Sequence, residues 1–597
     1  MTNSALASRA VFGQAVRPWA GFLILAAALT LASAVCELAP PLLLRSAVDD
    51  HLAVGEPAGL LTLAVLYVLA MAGIHGTAAM ATYSVTTAAQ GALHGIRTAM
   101  FAHLQALPTS YFDRNPLGDI ISRCTADVDT LDTMFSSGAV RLVADLVRLF
   151  TVLAAMVLLS PLLTAASLLA TPLVVVITHR LRGRVRAAEQ ANREAVGALS
   201  AHIQETLAGA EVIRAYGAER QLVARFRGAL RDVLTAYNTA TFFAAFYQPL
   251  MTLIAAIIVS LLVWTGTAAS VWGGWGVSLG TLTAFVLLFD RFFKPIIALG
   301  DEWQTVQGAL SGLQRIREVL DLDAERPDRR DAGDEAAPAA GGSRPLVELR
   351  DVTFGYLEGR TVLHGVSLSV RPGRHVALVG RTGAGKSSVL HLLGGLYAPW
   401  GGAIMVAGVR PASLDDAERR RLIGVVPQVV QLLDGTVREN LSLFDLDLPD
   451  AALERAARLA GAERFIATLP HGYDTRLSGS GRGEGLELSA GQRQLMALAR
   501  ALACEPKLIL LDEATAAIDS ETESVLREAL RDRVLASGCA VISVAHRLAT
   551  AREADEVVVL DDGVVVEAGP PDALEARDGW FAALVQLDRA GWDWQVA

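Results

Sequence analysis

The stretch Gly380-Arg-Thr-Gly-Ala-Gly-Lys-Ser-Ser388 directly follows the apolar run His375–Val379. Its spacing fits G-x-x-x-x-G-K-[ST] between a strand and a helix, an arrangement whose backbone N–H groups surround phosphate oxygens. We expect Lys386 to reach the β- and γ-phosphates of a nucleotide and the Ser387 hydroxyl to bind Mg²⁺. The residues of this predicted phosphate loop are Gly380, Arg381, Thr382, Gly383, Ala384, Gly385, Lys386, Ser387 and Ser388.

Two carboxylates, Asp512 and Glu513, end a second apolar strand candidate, Leu508–Leu511. Asp512 suits a direct or outer-sphere ligand of Mg²⁺, and Glu513 is placed to orient an attacking water or accept its proton. The alternative is a pair of surface acids at the end of a strand, which the phosphate loop makes less favourable.

A second anion site is indicated by Ser489-Ala-Gly491-Gln492, which precedes a predicted helix over Arg493–Ala503. A serine hydroxyl and free N–H groups at a helix start can bind an anion. Two such sites far apart in one sequence suggest that each completes a site on another subunit. The alternative for Ser489 is a simple helix N-cap.

Composition excludes several classes of protein. The chain has 597 residues, of which 52% are hydrophobic and 19% charged, and its net charge is −10. These values exclude a disordered chain and disfavour an ordinary soluble enzyme and a general nucleic-acid binder. The four cysteines show no spacing typical of a metal site or a disulfide framework.

Six apolar runs occupy the first half of the chain. Most are near the roughly 20 residues that a helix needs to cross a bilayer, and six are hard to bury in a soluble protein. Arginine is concentrated around the runs' connections 84–138 and 178–241, which predicts that both termini and these two long loops are cytoplasmic. We expect a multi-pass protein of a bacterial-type inner or plasma membrane. The runs are Phe22–Leu44, Leu60–Tyr83, Ala139–Leu159, Leu162–Ile177, Phe242–Trp264 and Leu279–Leu299.

Some charged residues lie inside these runs. Arg141, Asp145 and Arg148 share one face of the third predicted helix, and Asp290 and Arg291 lie in the sixth. Charges at this depth are costly unless they face water or protein. They form either a polar wall of a substrate cavity or paired, structural groups, and the sequence leaves both alternatives open.

The predicted domain limits follow the change in composition after Asp321. We expect an N-terminal cytoplasmic segment over 1–19, a transmembrane domain over 20–320 and a flexible linker over 321–344. An α/β nucleotide-binding domain is predicted over 345–587, followed by a tail over 588–597.

The order of these motifs resembles the ATP-binding cassette (ABC) transporters, and the whole chain resembles an exporter-type half-transporter. The resemblance implies an all-α six-helix transmembrane domain followed by an α/β P-loop NTPase domain. It also implies ATP and Mg²⁺ as cofactors and a second half-transporter, identical or paralogous, as partner. The segments 110–123 and 200–219 resemble the coupling regions that transmit movement of the ATPase domains.

The resemblance also assigns roles to individual residues. Tyr356 resembles the aromatic residue that stacks on adenine, and Gln428 the glutamine that contacts Mg²⁺ and water. Ser489 and Gly491 resemble the residues that bind the γ-phosphate of the opposite subunit's ATP. The expected catalytic residues are Glu513, His546 and Gln428, the metal ligands are Ser387, Gln428 and Asp512, and the nucleotide-binding residues outside the phosphate loop are Tyr356, Ser489, Gly491, Gln492 and Asp519.

The implied function is ATP-driven export of a hydrophobic or amphipathic solute, such as a drug or a lipid, by a dimer in a lipid bilayer. An importer of a small chelate and an ATP-switched channel are the alternatives. Ala490, where glycine is more usual, and Val429-Val430 depart from the family pattern and raise the chance of a heterodimer. Glu513 implies that this subunit carries a hydrolytic site in either arrangement, and no nucleic-acid partner is expected.

Overall fold

The computed structural model describes residues 4–135, 139–271, 277–324, 345–479, 485–512, 520–545 and 547–590. Residue contacts divide the chain into two units, one of residues 1–106 and 117–323, the other of residues 107–116 and 324–597. Most of the predicted linker lies outside the described residues, so the domain limits expected from composition stay a prediction.

Long helices build the first unit. Four of them contain 46, 48, 53 and 42 residues. At about 1.5 Å per residue each exceeds the roughly 30 Å of bilayer hydrocarbon, so these helices are long enough to continue beyond a membrane core. In chain order the helices are α1 Ser4–Val16, α2 Ala20–Cys36, α3 Ala39–Ser46, α4 Leu60–Gln105, α5 Thr109–Arg114 (in the second unit), α6 Leu117–Cys124, α7 Ala126–Thr133, α8 Ala139–Leu159, α9 Pro161–Ala208, α10 Ala210–Ala215, α11 Glu219–Val271 and α12 Leu279–Leu320.

Length and hydropathy identify four membrane-spanning candidates among the described residues. They are Ala10–Leu52, Leu60–Gln105, Arg141–Leu159 and Glu219–Trp264. The other two predicted runs, 162–177 and 279–299, lie inside α9 and α12. The transmembrane region is therefore helical as expected, while the count of six spans stays a prediction.

The first apolar run is broken into two helices, a break that the sequence analysis did not predict. Helix α2 ends at Cys36 and α3 begins at Ala39, with Pro40 and Pro41 in its first turn. In a continuous helix the N–H of residue 41 would donate to the carbonyl oxygen of Glu37. Proline has no N–H, so Pro41 cannot form this hydrogen bond. The guanidinium of Arg291 from α12 donates to that carbonyl instead.

Four phenylalanines of α12 belong to one hydrophobic cluster of the first unit's core. Phe285, Phe289, Phe292 and Phe293 are all buried and pack with buried residues of α8, α9 and α11. Pro295 lies inside α12, which continues to Leu320. Burial of these large rings stabilises the association of the four helices.

The second unit is an α/β domain built on a six-stranded sheet in the order β11-β10-β3-β9-β8-β5. Neighbouring strands from β10 to β5 are parallel, and β11 is antiparallel to β10. A separate antiparallel sheet has the order β2-β1-β4. The strands are β1 Val347–Phe354, β2 Leu363–Val370, β3 His375–Val379, β4 Gly401–Val406, β5 Ile423–Val426, β6 Gly435–Thr436, β7 Arg476–Leu477, β8 Leu508–Asp512, β9 Ala540–Val544, β10 Glu556–Asp561 and β11 Val564–Gly569.

Helices cover this sheet and supply its core. Residues of β3, β8 and β9 are almost wholly buried, as expected for parallel strands with helices on both faces. The helices are α13 Lys386–Leu393, α14 Asp416–Leu422, α15 Val437–Ser442, α16 Asp450–Ala460, α17 Glu463–Ile466, α18 Ala490–Leu502, α19 Ser520–Glu528, α20 Leu548–Arg552, α21 Pro571–Glu575 and α22 Trp580–Arg589.

Candidate nucleotide site

The predicted phosphate loop lies at the carboxyl end of β3 and leads into α13. Gly380 has a φ of 147°, and a Cβ on it would lie 2.0 Å from the carbonyl oxygen of Leu560. Gly385 has a φ of 95°, and its Cβ would lie 2.5 Å from a Leu363 methyl carbon. Only glycine meets both constraints, so the loop can bring its backbone N–H groups close to a phosphate.

The ammonium group of Lys386 is folded over this loop. Its Nζ donates to the carbonyl oxygen of Gly380 at 2.7 Å and to that of Arg381 at 2.8 Å. The side chain is 6% exposed. These two contacts hold the ammonium group beside the backbone of the loop, where a bound phosphate would be within its reach.

Ser387 and Asp512 meet below the loop. Leu378 of β3 and Asp512 of β8 both pair with Val544 of β9. The carboxyl ends of β3 and β8 therefore lie on either side of β9 at the same edge of the sheet. The Ser387 hydroxyl donates to Asp512 Oδ1 at 3.3 Å. Hydroxyl and carboxylate oxygens are hard ligands that fit Mg²⁺, so these two residues fit the metal that the sequence predicts.

Tyr356 packs against the same loop. Its ring lies 5.0 Å from Phe354 and 5.2 Å from Tyr397, and its hydroxyl is 3.0 Å from Ser388 Oγ and 2.9 Å from His391 Nδ1. Burial raises the pKa of Tyr356. The structure thus places Tyr356 next to α13, while its stacking on adenine stays a prediction.

The segment 107–116, which contains α5, belongs to the second unit. Arg114 Nη2 donates to the carbonyl oxygen of Tyr356 at 3.1 Å, and the Tyr397 hydroxyl donates to the carboxylate of Asp113. Burial is the largest of the effects that raise the pKa of Tyr397. The first predicted coupling region therefore begins in direct contact with the aromatic residues beside the phosphate loop.

Ser489 is the N-cap of α18. Its Oγ accepts from the N–H of Gln492 at 3.2 Å, and its own N–H donates to Gln492 Oε1 at 3.0 Å. A Cβ on Gly491 would lie 2.7 Å from Thr522 Oγ1, so no larger residue fits there. The capping role is observed, and binding of a partner's γ-phosphate by Ser489 and Gly491 stays a prediction.

Gln428 lies on an exposed loop after β5. The chain that follows is fastened to α18 by Asn440 and Arg500, two residues that the sequence analysis missed. Arg500 Nη1 donates to the carbonyl oxygen of Gln431 at 2.9 Å, and Arg500 Nε donates to that of Asn440 at 2.9 Å. The signal available in the sequence was that Arg500 stands between the apolar residues Leu498-Ala499 and Ala501-Leu502. In the structure these four neighbours are all buried. The predicted site residues Glu513, Asp519 and His546 lie outside the described residues.

Three of the five charged residues singled out in the predicted apolar runs, Asp145, Arg148 and Asp290, form ion pairs among the described residues. Arg148 binds both carboxylate oxygens of Glu37, at 2.7 Å and 2.5 Å, and Asp145 Oδ1 at 3.3 Å. Glu37 and Asp145 are 8% and 6% exposed. Asp290 pairs with Lys294 at 2.6 Å on an exposed surface. The structure therefore supports the paired, structural interpretation of Asp145 and Arg148.

Comparison with known proteins gives a consistent result. The family description "ABC transporter transmembrane region" matches residues 23–296, and "ABC transporter" matches residues 363–516. An ABC transporter ATP-binding protein of Bacillus subtilis (strain 168) is 33% identical over 567 residues, covering 95% of this chain and 92% of that protein.

Two further relatives have named substrates. The fatty acid ABC transporter ATP-binding/permease protein of Mycobacterium tuberculosis is 34% identical, covering 83% of this chain and 76% of that protein. The ATP-dependent lipid A-core flippase of Pseudomonas fluorescens is 33% identical, covering 84% and 81%. These relatives do not support the importer alternative.

A bacterial Atm1-family ABC exporter with ATP bound has a similar structure. The TM-score is 0.73 at 29% sequence identity, and the match covers 97% of this chain and 99% of that one. That exporter binds ATP, in accordance with the phosphate loop described above. The chain therefore belongs to the ABC transporters, as an ATP-hydrolysing exporter protein in which the membrane-spanning region and the ATPase domain are fused.

Proposed function

We propose that the chain is one half of a dimeric exporter that moves a hydrophobic or amphipathic solute with energy from Mg²⁺-dependent ATP hydrolysis. The observation that carries the proposal is the contact between Ser387 and Asp512 beneath the phosphate loop. The hydroxyl and the carboxylate would hold Mg²⁺, which neutralises charge on the phosphates during transfer.

The chemistry proposed for the other residues is positioning and charge stabilisation. Lys386 is already held at the loop and needs little movement to bind the β- and γ-phosphates. Glu513 would orient the attacking water and accept its proton, with Gln428 and His546 contacting the water, metal and γ-phosphate. These assignments extend the resemblance to the residues of this chain.

We propose that hydrolysis requires a second subunit, identical or paralogous. Ser489 and Gly491 begin α18, a helix of 13 residues whose positive dipole end favours an anion. They would bind the γ-phosphate of the partner's ATP, as the resemblance implies. The positive-inside pattern supports cytoplasmic termini and a cytoplasmic ATPase domain in a bacterial-type cell membrane.

The relatives' names favour a substrate that carries acyl chains, since one is named for a fatty acid and another for lipid A-core. We therefore choose a fluorescent fatty acid and a fluorescent phospholipid as first substrates. The purified protein would be reconstituted in liposomes, and ATP-dependent movement of each would be followed together with phosphate release.

The decisive variant is Glu513→Gln. It is expected to bind ATP as the wild type does and to lose at least 100-fold in hydrolysis, because the water is no longer oriented. Glu505→Gln is the matched control, since Glu505 is 69% exposed and pairs only with Arg455 among the described residues. Undiminished hydrolysis in Glu513→Gln would refute the proposed site, and an oligomeric mass equal to one chain would refute the dimer.

A further inference from the structure

Arg500 bridges α18 to the chain that follows Gln428. Its Nη1 donates to the carbonyl oxygen of Gln431, its Nε to the carbonyl oxygen of Asn440, and its Nη2 to Asn440 Oδ1 at 3.2 Å. Gln431 is three residues beyond Gln428, and Arg500 belongs to the helix that Ser489 begins. One guanidinium therefore joins the two elements that carry these predicted site residues.

Asn440 completes the bridge from the other side. It is fully buried, at 0% exposure. Its Oδ1 accepts from the N–H of Leu433 at 2.9 Å, and its Nδ2 donates to the carbonyl oxygens of Leu433 at 2.8 Å and Thr436 at 3.1 Å. The amide thus pairs with both backbone groups of Leu433, which fixes the loop between Gln431 and Thr436.

The chain is also fixed before Gln428. A Cβ on Gly424 in β5 would lie 2.8 Å from the carbonyl oxygen of Ala501, the residue next to Arg500. Strand β5 therefore lies directly against α18. The loop that carries Gln428 is held on the same helix at both of its ends.

Helix packing alone does not require a guanidinium here. The contacts that Arg500 makes with described residues go to uncharged oxygens of Gln431 and Asn440, and burial lowers the pKa of Arg500. Burying a cation is costly, and an apolar residue of similar volume often packs as well. The planar guanidinium, however, can bind three separate oxygen acceptors with defined geometry, which an apolar side chain cannot do.

We propose that Arg500 is a positioning residue that keeps Gln428 at a fixed position relative to Ser489. One chain contributes to two ATP sites of the dimer, and this connection makes the two sites move together. The inference rests on the proposed function, in which Gln428 acts at the chain's own ATP and Ser489 at the partner's. Engagement of Ser489 by the partner's nucleotide then shifts Gln428 through a rigid connection.

The test uses the full-length dimer in liposomes and the variant Arg500→Lys. Lysine keeps the charge but cannot span the three acceptors. The ATP dissociation constant is expected to change less than 2-fold, while kcat falls about 10-fold. In a Gln428→Ala background, Arg500→Lys is expected to lower kcat by less than 2-fold, because the residue it positions is absent.

Arg533→Lys is the matched control. Arg533 also donates to a backbone carbonyl, that of Arg458 at 2.8 Å, but it contacts no described residue between 428 and 440. Its variant is expected to keep the wild-type kcat in both backgrounds. If Arg500→Lys does not fold, Asn440→Asp tests the same bridge, because it keeps an acceptor for Arg500 but loses the donors to Leu433 and Thr436. Its loss of kcat should likewise shrink to less than 2-fold in the Gln428→Ala background, and an equal loss in both backgrounds would overturn the inference.

An equal loss of kcat from Arg500→Lys in both backgrounds would overturn the inference. Hydrogen exchange in the wild-type dimer gives an independent result. The amide of Leu433 should be protected as strongly as that of Leu498 in α18, and rapid exchange at Leu433 would overturn the bridge. Failure of the proposed function itself would look different, since the wild type would then hydrolyse no ATP.

Discussion

Arg315, near the end of α12, binds the carboxylate of Asp127 in α7 through both Nε and Nη2, with nitrogen–oxygen distances of 2.5 to 2.9 Å. Asp127 is 6% exposed, and its hydrogen bond is the main cause that raises the pKa of Arg315. A Cβ on Gly312 would lie 2.3 Å from Thr130 Oγ1. An ion pair and close packing therefore hold the end of α12 against α7.

We expect Asp127→Asn to destabilise the protein by about 1–3 kcal/mol, because it weakens a two-point contact with a guanidinium. Asp129→Asn is the control, since Asp129 is 65% exposed and pairs with Arg97 at 2.6 Å. That exposed pair is expected to contribute less than about 1 kcal/mol. Thermal unfolding in detergent would measure both, and an equal shift would contradict the prediction.

Lys386→Ala should weaken ATP binding at least 10-fold, because the buried ammonium is aimed at the phosphate loop and its charge is not replaced. Nucleotide titration on the purified protein measures this effect. Lys507→Ala is the matched control in the same domain, since Lys507 is exposed. An unaltered affinity in Lys386→Ala would remove Lys386 from the site.

Tyr397→Phe removes the hydroxyl that donates to Asp113 and keeps the ring. We expect solute transport to fall several-fold for each ATP hydrolysed, because Asp113 lies in the predicted coupling region. Tyr473→Phe is the control, since its hydroxyl has no hydrogen-bond partner among the described residues. A transport-to-hydrolysis ratio equal to that of the control would contradict the coupling role.

Acid should destabilise the ATPase domain through His375. Burial lowers the pKa of His375 to about 4, and its Nε2 lies 2.8 Å from Ser543 Oγ. Between pH 6.5 and 4 the unfolded chain binds a proton that the folded protein does not. The contribution of His375 to the free energy of unfolding is therefore complete above about pH 6.5. As the pH falls below that value, this contribution decreases by up to about 1.4 kcal/mol per pH unit.

The variant His375→Asn tests that sign. Its melting temperature should depend less on pH between 7 and 5 than that of the wild type, because it lacks the titrating group. Identical pH dependence in the two proteins would show that His375 is not the responsible residue.

The sequence predicted the elements whose signal is local. The glycines before Lys386 and the apolar run ending at Asp512 predicted the strands and loop that the structure contains. Tyr356, Ser489 and Gln428 were assigned by resemblance to an ordered set of motifs. Their roles toward the nucleotide remain predictions. The structure shows that Tyr356 and Ser489 form hydrogen bonds within the chain and that Gln428 lies on an exposed loop.

Contacts between distant residues could not be predicted in the same way. No local pattern indicates that Arg500 meets Gln431, that Arg315 meets Asp127, or that Arg148 meets Glu37. Each pair joins residues more than 60 positions apart, and only the packing of the helices determines which polar groups meet. The charged residues were visible in the sequence, but their partners were not.

Because Arg291 donates to the carbonyl group that Pro41 cannot serve, we expect positions 41 and 291 to depend on each other in evolution. Replacing Arg291 alone deprives the carbonyl of Glu37 of its donor, whereas alanine at position 41 would restore a backbone N–H to serve it. A lineage can thus lose the arginine at little cost once it has lost the proline, but the reverse order passes through a weakened intermediate. Substitutions at the two sites should therefore be correlated and ordered in time.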